Sequence, residues 1–313
     1  MRAHLNRAVL VIGLLTAQLA WAAVPARVAI VKSGALTPFN QAADAIMEVL
    51  RSDALQPEIL TFDLEGSEDR AAGMLGEIRR FNPRLVVAVG SLAAAVMLKE
   101  FPSIPIIFSM VLYPQQSGFV SDDHRNVTGV SLDVPLAVQF GYLQRLFPAA
   151  RRIGVLYNPS ETGSIIAEAR TAAAALGFSL VAEPVSEPAQ AVTALGTLME
   201  EADLIWTVAD SHVFTPQTTS ALILAAIRRR VPLFGLSTAQ VRSGAVAALY
   251  CDYTDIGTQT GESVLRVLRG EPAAAIAVSP PRKAALALNL RTAEHLGLHI
   301  PDDLEAEAGE VIR

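Results

Sequence analysis

The 313-residue sequence predicts an α/β fold made of two doubly wound lobes joined by a hinge around a cleft. Three observations carry this. Short β-type runs alternate with longer amphipathic runs from Arg27 onward. The strand-like runs are continuously apolar, as in parallel sheets covered on both faces. The alternation also restarts halfway along the chain, and the mature length exceeds what one hydrophobic core usually organises.

Residues 1–22 read as a secretory signal peptide. Arg2 and Arg7 supply a positive start, Ala8 to Leu19 is almost uninterrupted apolar sequence, and Ala20-Trp21-Ala22 places small residues at the cleavage positions. The apolar stretch is shorter than the roughly 20 residues that a membrane span needs. No cysteine lies near the cleavage site, so the expectation is an exported periplasmic protein that is not a lipoprotein. Without Arg2 and Arg7 the chain has 23 basic against 31 acidic residues, a net charge of −8 that argues against nucleic acid or anionic lipid as partner. The single cysteine, Cys251, has no internal partner for a disulfide and reads as a packing residue beside Leu249 and Tyr250.

In the first lobe, Val28 to Val31 reads as a strand and Pro38 to Arg51 as its helix, and Glu58 to Phe62 with Ser67 to Arg80 repeats the unit. Leu85 to Val89, the helix Ser91 to Glu100 and the strand Ile104 to Phe108 follow. Asn126 to Leu132 is an edge strand or a crossover. The second lobe opens with the helix Pro135 to Phe147 and the strand Arg152 to Tyr157, and then alternates helix Ser160 to Leu176, strand Ser179 to Glu183, helix Pro188 to Glu200 and strand Asp203 to Val208. Helix Pro216 to Arg230 and strands Pro232 to Phe234 and Ala245 to Tyr250 complete it. The tail offers a helix from Thr254 to Arg269, strand-like pieces at Ala275 to Val278 and Ala285 to Leu290, and a short helix from Thr292 to Leu296. These are too few for a third core, so they must complete the existing sheets. The expected division is 23–132 with 252–278 for the N-terminal lobe and 133–251 with 279–313 for the C-terminal lobe.

Open α/β sheets bind ligands beyond the carboxyl ends of their strands, where helix N-termini present free N–H groups. The candidates are therefore the polar residues at those ends: Ser33, Ser91 and Ser109 in the first lobe, and Asn158, Glu161, Asp210, Ser237 and Asp252 in the second part of the chain. Gly90-Ser91 is either an ordinary helix cap or a carboxylate or phosphate seat. Asp210 either caps a turn or pairs with a ligand ammonium, and Glu161 and Asp252 offer weaker versions of the same choice. A carboxylate buried in a cleft without a cation is costly, so any that line it imply a positive group on the ligand.

Searches for catalysis give nothing. Gly235-Leu236-Ser237-Thr238-Ala239 lacks the final glycine of a nucleophile elbow, and no glycine-rich phosphate loop occurs. His295 and His299 have i, i+4 spacing without an accompanying acidic ligand, and His124 and His212 stand apart from them. The expectation is a protein without catalytic residues, metal or cofactor.

Three stretches carry a family resemblance: Asn126-Val127-Thr128-Gly129-Val130-Ser131, Arg152-Ile153-Gly154-Val155-Leu156-Tyr157-Asn158-Pro159-Ser160-Glu161, and Ala287-Leu288-Asn289-Leu290-Arg291-Thr292-Ala293 with Leu296-Gly297-Leu298. They resemble the ABC transporter substrate-binding protein family that includes tryptophan and tyrosine binders. The resemblance implies two Rossmann-like lobes in the type I periplasmic binding protein fold, three interlobe crossings, and a monomer that delivers a small zwitterionic or carboxylate ligand, an amino acid among the candidates, to the membrane permease of an importer. It also implies that hydroxyls of the first lobe hold a carboxylate and an acidic residue of the second holds an amine, which Ser91 and Asp210 match in position. The chain departs from the family at Ala209-Asp210-Ser211, where Thr-Asp-Asn is usual, at Tyr113-Pro114, where Asp-Pro is usual, and at Gly90-Ser91-Leu92, where Gly-Thr-Pro is frequent. The same clamp also suits a sensory protein that presents its ligand to a membrane sensor such as a histidine kinase.

Overall fold

Residues 25–121 and 125–313 are described by a computed structural model; the expected signal peptide and His124 lie outside them. The first sheet is built from β1 (Arg27–Lys32), β2 (Glu58–Asp63), β3 (Leu85–Val89), β4 (Ile106–Val111) and β5 (Val127–Ser131), in the order β2-β1-β3-β4-β5. All its pairings are parallel, and the first three connections carry covering helices, α1 (Thr37–Ser52), α2 (Asp69–Phe81) and α3 (Ser91–Glu100), while none lies between β4 and β5 among the described residues. β3 is buried along its whole length, as its unbroken apolar sequence Leu-Val-Val-Ala-Val requires of a strand covered on both faces.

The second sheet has seven strands in the order β12-β11-β10-β9-β8-β6-β7. Its elements, in chain order, are α4 (Leu136–Leu146), β6 (Arg152–Tyr157), α5 (Pro159–Ala175), β7 (Ser179–Pro184), α6 (Ala191–Glu201), β8 (Leu204–Trp206), α7 (Pro216–Arg229), β9 (Leu233–Gly235), α8 (Thr238–Arg242) and β10 (Ala247–Cys251). Helix α9 (Tyr253–Leu268) then intervenes, followed by β11 (Ala284–Asn289), α10 (Leu290–Leu296), α11 (Asp302–Glu307) and β12 (Glu310–Ile312). β10 and β11 pair antiparallel, and the remaining pairings in this sheet are parallel.

Helix α9 returns to the first sheet. Its Ile256, Val264 and Leu268 pack with Ala42, Ile46 and Leu50 of α1 in one apolar core. The approach is close enough that a Cβ on Gly257 would stand 2.3 Å from the Ala42 carbonyl oxygen, so glycine is required there. The chain therefore crosses between the sheets after β5, after β10 and again before β11.

The structure departs from the sequence expectations at two places, decides one alternative and adds two elements. The piece Ala275 to Val278 is not a strand: a short 3₁₀ turn covers Ala273–Ala275, and Ser279 alone bridges to Val130, accepting an N–H from Ser131 at 2.9 Å. Pro280 and Pro281 have no N–H to donate to a longer ladder. Asn126 to Leu132 resolves to the edge strand β5. β4 runs past Phe108 to Val111 with an irregularity between Ser109 and Val111, where Met110 takes φ 60°. Finally α11 and β12, which the sequence pattern does not show, fix the C-terminus beside β11.

Candidate functional site

At the strand ends of the first lobe the serines divide into engaged and idle ones. Gly90 occupies the N-cap of α3 and has no side chain to cap with. The cap comes from Ser33 instead, whose buried Oγ accepts the Ala93 N–H at 2.9 Å from 60 residues away. The two chains meet so closely that a Cβ on Gly90, which sits at φ 90°, would lie 2.5 Å from that oxygen. Ser91 is exposed, so the expected cap at Ser91 is corrected to Ser33. Ser109 lies inside β4 and not beyond it, because its hydroxyl is satisfied by Thr260 Oγ1 of α9 at 2.8 Å, which lets the strand continue through a polar residue.

The second lobe gathers its polar groups at the ends of β6 and β8. Asn158 caps α5, its Oδ1 accepting the N–H groups of Ser160 and Glu161 while its amide donates to the Val185 carbonyl at 3.0 Å. Asp210, 3% exposed, accepts four hydrogen bonds: from the Asn158 N–H and the Thr162 hydroxyl at 2.6 Å each, and from the His212 and Val213 N–H groups at 3.0 Å each. These donors fill the acceptor positions of a carboxylate, so in this structure Asp210 ties the β6 and β8 ends together. Of the two roles the sequence leaves open for Asp210, these bonds are those of the structural one. Glu161 accepts from the Ser211 N–H and hydroxyl and contacts His212 Nδ1 at 2.8 Å. Burial alone would raise its carboxyl, but the bonds from His212 and Ser211 hold it below the usual range, and the same contact raises His212. Glu161, Asp210 and His212 have ligand-type atoms within 4.8 Å of one another, but these atoms are already engaged as described. Ser237 and Asp252 serve as N-caps, of α8 and α9, accepting from Gln240 and Asp255.

None of these eight residues lines the two cavities of the cleft. The inner cavity, of about 180 Å³, lies among Tyr113, Asp133, Phe234, Leu249, Tyr250 and Tyr253, with Ala209, Leu236 and Cys251 in its wall. The outer one, of about 360 Å³, shares Tyr113, Asp133, Val134 and Gln139 and extends to Glu168 and Pro280. Thus the strand ends do face the cavity, through Ala209, Leu236, Cys251 and Tyr253, each adjacent to a residue picked for its polarity. The residues missed were Tyr113, Asp133 and Gln139. The available signal for Asp133 was an acid set between Leu132 and Val134 in the first crossing.

Tyr113 spans the cleft. It leaves β4 at φ 48°, an uncommon conformation for a bulky residue, and its Oη accepts the Ala209 N–H of the second lobe at 3.4 Å. Its own N–H donates to both oxygens of Asp133, at 3.0 and 2.9 Å. Burial pushes the Asp133 carboxyl up to about 7, partly offset by that N–H and by Ser131. Burial and the nearby Asp133 also raise the Tyr113 phenol and push the Cys251 thiol up to about 12, so this thiol is not a nucleophile at neutral pH. Gln139 is held on both sides, its Oε1 by the Trp206 indole N–H at 2.8 Å and its amide on the Val134 carbonyl at 2.7 Å. A second interlobe contact joins Gln116 Nε2 to Glu168 Oε1 at 2.9 Å.

Residues 37–312 match the model of a family described as ABC transporter substrate binding protein. A tyrosine-binding protein of Clostridioides difficile (strain R20291) is 25% identical over 219 residues; these cover 68% of this chain and 63% of that relative, so the match spans under two thirds of its length. Among solved structures, a conserved domain protein from Vibrio cholerae is 26% identical with TM-score 0.69, covering 92% of this chain and 99% of the other. An ABC domain from Streptococcus pneumonia solved with L-Trp is 23% identical with TM-score 0.69, at the same two coverages. A ligand-free, open substrate binding protein with adhesive properties from Clostridium difficile is 19% identical with TM-score 0.76 and covers 92% of this chain and 99% of its own. With two parallel-sheet lobes closing on a cavity walled by the ends of their strands, and a match that runs through both, this chain belongs to the ABC transporter substrate-binding protein family.

Proposed function

We propose that this protein is the exported, ligand-capturing component of an ABC importer, and that it closes its two lobes on a small amine-bearing organic molecule before presenting it to a membrane permease. The observation that carries this reading is the inner cavity at the crossings, walled by both lobes and by the aromatic rings of Tyr113, Phe234, Tyr250 and Tyr253. Ligand sites are commonly concave, mostly apolar and furnished with a few polar groups, as this one is. The relatives, one named for tyrosine and one solved with L-Trp, support a ligand with an aromatic body and an ammonium group. The lobe division that goes with this reading is 23–132 and 252–278 against 133–251 and 279–313.

Thermal unfolding against a panel of aromatic amino acids and their amines tests the assignment. A ligand at 100 times its dissociation constant should add about 2.7 kcal/mol to stability. That gain should vanish in Ala209→Trp, which fills the inner cavity from the β8 end. Stabilisation that persists in a folded Ala209→Trp variant would place the ligand elsewhere and contradict the reading.

A further inference from the structure

The two cavities are furnished for one sign of charge. Among the described residues no lysine, arginine or histidine lines either of them, and their charged wall residues are Asp133, in both, and Glu168, in the outer one. Glu168 is occupied by Gln116, whereas Asp133 receives one backbone N–H shared between its oxygens and has the Ser131 hydroxyl beside it. A carboxylate has about four acceptor positions, so Asp133 retains acceptor capacity at the wall of both cavities.

Along the inner wall the Ala209 N–H is given to Tyr113 Oη, the Leu236 N–H to Gln240 Oε1 at 2.7 Å, the Gln139 amide to the Val134 carbonyl and the Cys251 thiol to the Leu132 carbonyl at 3.5 Å. With these backbone, amide and thiol donors already used, the phenol hydroxyls of Tyr113, Tyr250 and Tyr253 are left as the neutral donors of the inner wall. Around this sit four aromatic rings, whose faces attract cations. A zwitterionic amino acid would place its carboxylate against a wall that carries a like charge and offers neutral phenol hydroxyls but no cation, at a cost that its decarboxylated amine avoids.

We propose that the ligand is an organic ammonium ion on an aromatic or alkyl body, without a carboxylate, and that Asp133 is the counter-charge that selects it. The inference rests on the interlobe site of the preceding reading and narrows it from amino acids to amines. Asp133 is a specificity residue, reached from both cavities, while Asp210 remains structural.

Calorimetric titration with tryptamine, L-tryptophan and indole-3-propionate separates the possibilities, because these three share a body and differ in charge. Tryptamine should bind about tenfold or more tightly than L-tryptophan, and indole-3-propionate should give no heat. Asp133→Asn, which keeps an acceptor for the Tyr113 N–H, should weaken tryptamine at least about tenfold. Asp133→Glu, which keeps the charge, should recover part of that loss. Tighter binding of L-tryptophan or indole-3-propionate overturns the proposal, as does tryptamine binding that Asp133→Asn leaves unchanged. Failure of tryptamine, tyramine and phenethylamine alike to bind also overturns it. If L-tryptophan binds best and Ala209→Trp abolishes that binding, the interlobe site stands and only the amine selectivity falls. Binding that survives Ala209→Trp removes the interlobe site itself.

Discussion

Asp210 and Asp133 are both acids beside the cleft, yet their surroundings differ. Asp210 closes the β8 end with four donors around it, all supplied by its own lobe. Asp133, in the first crossing, has the Tyr113 N–H and the Ser131 hydroxyl and, among the described residues, no cation in the cavity walls. A buried acid with its acceptors filled is part of the scaffold. One left short of partners, at the wall of a cavity, is held ready for something that the chain itself does not supply.

The largest expected effect follows from the filled site. Asp210→Ala strips the partners from the Asn158, His212 and Val213 N–H groups and the Thr162 hydroxyl at once. It should cost about 3–5 kcal/mol in urea unfolding. Asp133→Ala should cost far less, and equal losses from both would erase the contrast.

The second effect is a pH dependence of opposite sense to the usual carboxylate. Asp133 is raised from 3.8 to about 7 in the folded protein, so between those values the unfolded chain has lost a proton that the folded one keeps. Stability from this group is therefore fully present below about pH 4 and is lost as pH rises through 7. The titratable groups that share its cavities are Tyr113, Tyr250, Cys251, Tyr253 and Glu168, with no basic residue among the described ones to reverse the sign. Without ligand, Asp133→Asn should thus be more stable than the parent at pH 8, by about 1–3 kcal/mol, and indistinguishable from it at pH 4. A variant less stable than the parent at pH 8 would contradict the unpaired state of Asp133.

The smallest effect repeats the contrast between engaged and idle residues in the first lobe. Ser33→Ala removes the remote cap of α3 and should cost about 1 kcal/mol. Ser91→Ala, at an exposed position, should stay within about 0.5 kcal/mol. Reversal of that order would return the cap to Ser91.

Much of the architecture is legible in the sequence because parallel strands buried on both faces leave continuous apolar runs such as Leu85 to Val89 and Ile153 to Leu156. What escapes is set by distant partners. β4 passes through Ser109 because Thr260, 151 residues away, satisfies the hydroxyl. The Glu310–Ile312 strand, too short to show a pattern, exists because β11 offers it an edge. In the site, the strand ends point to the cleft as their chemistry suggests, but polarity is a poor guide to which residue there meets the cavity. Ser33, Asn158 and Asp210 are polar because capping and loop closure need them. The wall is made by their apolar and aromatic neighbours. Asp133 escapes notice because an acid in a crossing looks like an ordinary linker residue until folding brings Tyr113, Cys251 and Tyr253 around it.

The most direct measurement is a carboxyl carbon NMR titration of Asp133 and Asp210 in the same sample, free and saturated with tryptamine. In the free protein Asp133 should titrate near 7. A bound ammonium within hydrogen-bonding reach should lower that value by about 1–3 units, and the Asp210 signal should not respond. If Asp133 keeps its free titration while Asp210 shifts, the cation sits at the second-lobe strand ends, and the assignment of roles to the two acids is reversed.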